Sequence, residues 1–175
     1  MIKEWKELSR TQVFKKYSRL IEKVIFKLPD ETTADFYVKR EGPAAAIVAL
    51  TKNNEVILVR QFRVGPQKIL NELPGGYVDD GESGIEAMNR ELFEETGYMG
   101  KIEFVGTCLD DAYSTMVRYC FVAKNCVKIQ DPIQVQTEPL EVNLVTLENF
   151  RMLLRSGQMT DIEVGYLCLD YLNLL

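Results

Sequence analysis

Gly76–Tyr98 reads GYVDDGESGIEAMNRELFEETGY, and the architecture turns on this stretch. Ser83 and Glu86 form a capping box, so a helix is predicted to start immediately after Ser83. Gly97 suits the left-handed position just past the helix C-terminus. With roughly 100° of rotation per residue, Ile85, Met88 and Leu92 share one face and are predicted to enter the core. Glu91, Glu94 and Glu95 share the opposite face, with Arg90 at its margin. Like charges one turn apart, such as Glu91 and Glu95, cost a helix roughly a few tenths of a kcal/mol. A solvated acidic face is the plain reading. The sharper one is a site for hard divalent cations, which want several oxygen ligands. Arg90 is predicted to pair with Glu86 or Glu94 and to reach Glu82, locking loop to helix so that the acids are preset.

Two absences narrow the chemistry. The 175 residues contain no histidine, which excludes Ser-His-Asp and Cys-His catalysis and imidazole metal sites. Cys108, Cys120, Cys126 and Cys168 show no Cys-x-x-Cys spacing and read as free core thiols. Acid/base and metal chemistry must therefore rest on carboxylates. Net charge is −5 with no Lys/Arg-rich run, which counts against a nucleic-acid partner. The first thirty residues are rich in Lys, Glu and Arg without an apolar signal core. Ala44 to Leu50, the longest apolar run, is too short to span a bilayer, so the expectation is a cytoplasmic protein with no membrane partner.

Outward from the central stretch, strands are predicted at Leu20 to Leu28, Asp35 to Lys39, Ala44 to Thr51, Val56 to Phe62, Lys101 to Leu109, Val117 to Ala123 and Glu141 to Val145. Lys52-Asn53-Asn54 suits a hairpin between two buried strands. A second helix follows Thr146, with Leu147, Phe150, Leu153 and Leu154 as its apolar stripe, and stops before Gly157. A third starts after Thr160, where Thr160 and Glu163 form a second capping box. Asn125 to Pro139 reads as a long polar loop, a length often associated with function. The result is a mixed sheet with helices packed on it.

The central stretch resembles the Nudix box, G-x5-E-x7-R-E-U-x-E-E-x-G-U with U apolar, at Gly76, Glu82, Arg90, Glu91, Leu92, Glu94, Glu95, Gly97 and Tyr98. At ordinary residue frequencies its seven fixed positions would coincide by chance on the order of once in 10⁸–10⁹ starts. The resemblance implies an α+β fold, an α/β/α sandwich with a mixed sheet. It also implies a strand-loop-helix holding two or three Mg²⁺ or Mn²⁺ ions. Glu91, Glu94 and Glu95 would be metal ligands, with Glu94 also able to orient water and Gly75 lending its backbone carbonyl. Gly76, Glu82, Arg90 and Gly97 would be structural. The ions would neutralise a diphosphate and lower the pKa of a bound water.

Beyond the box, Val59-Arg60-Gln61-Phe62-Arg63 and Asn71-Glu72-Leu73-Pro74-Gly75-Gly76 resemble the ADP-ribose and nucleoside-diphosphate-sugar pyrophosphatase branch of the superfamily. That branch implies hydrolysis to a nucleoside monophosphate and a sugar phosphate. It also implies residues 1–42 as a strand-rich dimerisation segment ahead of a hydrolase domain at 43–175, so that the chain would form a homodimer. Arg60 and Arg63 become candidates for the diphosphate, although alternate strand positions bring both to one side only if the strand breaks between them. Glu72 is read as bonding a sugar hydroxyl or pairing with a nearby Arg. Glu138 is the candidate general base, with Asp131 and Glu141 as the other acids of its region. Tyr37, Tyr113 and Phe36 are candidates to stack on a base or to fill the core. Asp110-Asp111-Ala112-Tyr113-Ser114 lacks the proline common in ADP-ribose enzymes, so GDP- and UDP-sugars stay open. A nucleoside-triphosphate or RNA-cap pyrophosphatase and a non-catalytic nucleotide-binding module are the alternatives.

Overall fold

The computed structural model describes residues 1–133 and 139–175, and Glu138 therefore lies outside the described residues. The chain divides into two compact units, Met1–Pro43 with Leu109–Val117, and Ala44–Cys108 with Arg118–Leu175.

The first unit carries an antiparallel sheet of β1 (Lys6–Lys16), β2 (Arg19–Lys27) and β3 (Thr33–Lys39), in that order. Trp5, Phe26 and Phe36 pack together, with the Trp5 and Phe36 rings 5.4 Å apart and Phe26 and Phe36 6.0 Å apart. Phe36 is thus a packing residue of this unit, whereas Tyr37 and Tyr113 are exposed. Strand β1 was not among the predicted elements: KELSRTQVFKK has no clean alternation, and every one of its residues is exposed. Cross-strand pairing holds it, through the hairpin ladder to β2 and through Arg10 bonded to Glu22 at 2.6 Å. Lys39 ties residues 109–117 to this sheet, its Nζ lying 2.9 Å from Asp110 and 2.6 Å from Asp111.

The second unit is built on β4 (Ala44–Thr51), buried along its whole length. The sheet runs β10 (Leu140–Val145), β5 (Val56–Arg63), β4, β9 (Val117–Lys128), β8 (Tyr98–Leu109), with β6 (Lys68–Glu72) paired to β5 and β7 (Gly75–Tyr77) to β4. β4 is parallel to β9 and antiparallel to β5 and β7, so the sheet is mixed. Alternation along β4 sends Ala45, Ile47 and Ala49 to one core with Met88 and Leu92 of α1 (Gly84–Thr96). Ala46, Val48 and Leu50 enter a second core with α2 (Leu147–Ser156) and α3 (Ile162–Tyr171), which contribute Phe150, Leu154, Val164 and Leu169. Helices on both sheet faces make the expected three layers. Among the described residues no helix is long and apolar enough to cross a membrane.

Four local expectations need correction. β9 continues to Lys128 where a loop from Asn125 was predicted, because Asn125 takes a left-handed φ of 56° and a register shift against β4 absorbs the extra residues. Ile85 is 44 % exposed, and Ala87 takes the buried place beside Met88 and Leu92. A helical side chain covers the turn before its own Cα, and Ile85 in the first turn has none to cover. The second capping box does not form. The α3 N-cap is Asp161 at φ 55°, without a side-chain cap bond. Glu163 instead pairs with Arg118 at 2.5 Å. Finally, β6 and β7 were not predicted as strands, being five and three residues long; β6 is held by its hairpin with β5 and β7 by β4, some way back along the chain.

Candidate active site

β7 runs antiparallel to β4, placing Gly75 opposite Ala46 and Gly76 opposite Ala45. No side chain fits at Gly75, where a Cβ would stand 2.9 Å from the Ala46 Cα. The chain turns through Val78–Glu82, where Glu82 N donates to Asp79 O at 3.0 Å. Ser83 then caps α1: its N donates to Glu86 Oε2 at 2.8 Å, and Glu86 N donates back to Ser83 Oγ at 3.4 Å. Gly97 ends the helix at φ 72°, its N donating to Phe93 O at 2.8 Å.

This strand-turn-helix presents the predicted acids together. Arg90 forks onto Glu82, with Nε donating to Oε1 at 3.1 Å and Nη2 to Oε2 at 3.0 Å. It also donates to the Tyr77 carbonyl at 3.2 Å and to Glu91 Oε1 at 2.7 Å. One guanidinium therefore joins β7, turn and helix. Glu94 lies 3.6 Å from it, while Glu86, the other expected partner, is engaged by Ser83. The hydrogen bonds from Arg90 hold Glu82 below the usual carboxylate range. Burial pushes Glu91 up against the opposing pull of Arg90. Glu95 is pushed up to about 8, first by burial; the N–H of Gly75, 3.0 Å away, and the charge of Arg63 pull it back, and Glu91 and Glu72 push further.

On the facing edge of the sheet, Glu72 is bonded to Gln61 Nε2 at 2.9 Å and to Arg63 Nη2 at 2.5 Å. Strand β5 is unbroken from Val56 to Arg63, so Arg60 and Arg63 point to opposite faces. The two arginines therefore do not form one anion site. Arg63 is on the α1 side, where its charge reaches Glu95. Arg60 lies instead beside Glu141, at 3.8 Å, its paired position on β10. Asp131 is bonded to Lys128 at 2.7 Å. Gln61 was not a predicted site residue; its signal was the two-residue spacing from Arg63 on a strand.

The donor chemistry fits a hard divalent cation. Two half-buried carboxylates, Glu91 and Glu95, stand one helical turn apart, and their withdrawal from water disfavours the ionised forms unless positive charge arrives. Among the described residues no three His, Cys, Asp or Glu side chains are gathered closely enough to hold a metal ion by themselves.

A family model for the NUDIX domain matches residues 40–163, more than half of the chain. The chain belongs to the NUDIX family. Among its relatives is the ADP-ribose pyrophosphatase of Bacillus subtilis (strain 168), 27 % identical over 98 % of this chain and 94 % of that protein. The ADP-sugar pyrophosphatase of Mus musculus is 44 % identical over 43 % of this chain and 38 % of its own length. The crystal structure of an ADP compounds hydrolase superposes with a TM-score of 0.82 at 20 % identity, covering 100 % of this chain and 99 % of that one, which shows the shared fold. This NUDIX chain is an enzyme of the hydrolase class, in the ADP-ribose and nucleoside-diphosphate-sugar pyrophosphatase branch.

Proposed function

We propose that this NUDIX hydrolase splits the diphosphate linkage of a nucleoside diphosphate sugar, ADP-ribose or a GDP- or UDP-sugar, to a nucleoside monophosphate and a sugar phosphate. One observation carries the reading: Glu91 and Glu95 stand half-buried one turn apart on α1, with the charge of Arg63, from β5, reaching Glu95. Glu91, Glu95, Glu94 and the Gly75 carbonyl would hold two or three Mg²⁺ or Mn²⁺ ions. Such ions, when bound, neutralise the diphosphate and activate a water. Arg63 supplies an always-charged planar donor to the diphosphate, and Arg90 keeps Glu91 oriented. Glu94, its side chain 45 % exposed, would orient water, and Glu138 is assigned as the general base.

The names of the relatives support the substrate class. Four free thiols agree with a reducing, cytoplasmic setting. The exposed strand β1, with Leu8, Val13 and Phe14 on its surface, supports a homodimer formed through residues 1–42, which sedimentation equilibrium would detect. The deciding experiment incubates purified protein and Mg²⁺ or Mn²⁺ with ADP-ribose, GDP-mannose, UDP-glucose, nucleoside triphosphates and dinucleoside polyphosphates. Monophosphate release from a sugar-linked diphosphate is expected. Turnover of triphosphates alone would move the enzyme to the nucleoside-triphosphate class, and no turnover would leave a binding module.

A further inference from the structure

Glu72, the last residue of β6, is 1 % exposed, an unusual place for a carboxylate. It pairs across the sheet with Val59, which puts its side chain on the face shared by Val59, Gln61 and Arg63. Oε2 accepts from Gln61 Nε2 at 2.9 Å. Arg63 Nε lies 2.9 Å from Oε1 and 2.7 Å from Oε2, and Arg63 Nη2 lies 2.5 Å from Oε2. A sugar hydroxyl would have to displace one of these donors from a carboxylate that is 1 % exposed. The partners are unequally placed, since the Arg63 side chain is 43 % exposed while that of Glu72 is 1 % exposed. A pair serving the core alone gains little over apolar residues of the same volume. An anchor buried at one end, with its cation at the surface beside Glu95, does something a core pair does not.

We propose that Glu72 is a positioning residue: it grips the Nε edge of Arg63 and aims the guanidinium at the α1 face, where the substrate diphosphate is to be received. Gln61 completes the clamp by fixing the carboxylate that does the gripping. An arginine side chain otherwise gives up much of its rotamer freedom when it is held in one geometry. Glu72 holds it there before the ligand arrives, so its contribution is to binding. The proposal rests on the pyrophosphatase reading above for the identity of the ligand, and on the geometry alone for the clamp.

The test is a double-mutant cycle of Glu72→Gln and Arg63→Gln, read as kcat and KM on whichever nucleoside diphosphate sugar the wild-type enzyme hydrolyses. Each single change should raise KM roughly tenfold with kcat within about threefold, and the double variant should be no worse than Arg63→Gln alone. Losses that multiply in the double variant, or an unchanged KM in Glu72→Gln, overturn the proposal. Should Glu72→Gln fail to fold, Arg63→Lys replaces it: lysine keeps the charge but cannot make the fork, so a wild-type KM there also overturns the clamp. Two readouts stand apart from turnover. The Arg63 Nε–H resonance should be protected from exchange in the wild type and lose protection in Glu72→Gln. ADP affinity by calorimetry should fall with it. If the wild type hydrolyses nothing while both readouts behave as expected, the function is wrong and the clamp stands; if it hydrolyses substrate and neither readout moves, the reverse holds.

Discussion

The Glu91 carboxylate occupies the space in which a side chain on Gly76 would stand: a Cβ there would lie 2.6 Å from Glu91 Cδ. Bare backbone in β7 thus lets a helical acid lie against the strand that ends in the turn. Gly76→Ala would push the free end of a flexible side chain, not backbone, so its cost to stability should stay within about 1 kcal/mol. Turnover should drop at least roughly tenfold, because Glu91 leaves its place. Thermal unfolding and initial rates, measured on the same preparation, separate the two.

Gly97→Ala should behave in the opposite sense. Gly97 sits at φ 72°, and a Cβ would stand 2.8 Å from the Gln130 carbonyl carbon, which cannot swing aside. Left-handed strain and the clash together should cost about 2 kcal/mol or more, lowering Tm by about 4–8 °C. A Tm within about 1 °C of wild type would contradict this account of the helix end.

Ser83→Ala removes the N-cap acceptor and should cost about 1 kcal/mol. Glu86 is held below its ordinary value of 4.5, chiefly by the Ser83 side chain and then by the Ser83 backbone. A carboxylate held low adds stability that is present above that ordinary value and is lost as pH falls through its lowered value. Glu86→Gln should therefore flatten the acid limb of a stability-against-pH curve, and an unchanged limb would count against the capping box.

Glu95→Gln keeps the volume and an oxygen for the Gly75 N–H while removing the group that can ionise when a cation arrives. Turnover should fall by orders of magnitude with circular dichroism unchanged. Hydrolysis near the wild-type rate would remove Glu95 from the metal set.

Glu138→Gln should lower kcat while Mn²⁺ binding, followed by electron paramagnetic resonance, persists. No change in kcat would move the base to another acid.

The helix was legible because its signals are local: a cap three residues wide, a glycine at its end and a run of acids one turn apart. What escaped the sequence depended on pairing partners and not on the segment's own pattern. β1 and β6 exist through hairpin ladders to β2 and β5, and β7 through its ladder to the more distant β4, while their own residues carry little strand pattern. The grip of Glu72 on Arg63 needs the β5–β6 register, which nine residues of spacing do not reveal. Asp161 defeated a good capping signal because Arg118, from β9, claims both Asp161 and Glu163. Arg90 reached Glu82 as expected, since loop and helix are contiguous there.

The unbroken course of β5 has a consequence for the tolerance of this gene to small insertions. Because strand positions alternate, one residue added between Arg60 and Arg63 would invert everything on one side of the addition. The guanidinium now turned toward α2 and α3 and the one now beside Glu95 would come to share a face. Glu72 would then sit opposite the wrong neighbour. A single extra codon would thus scramble the Glu95-facing side of the sheet without deleting any of its residues.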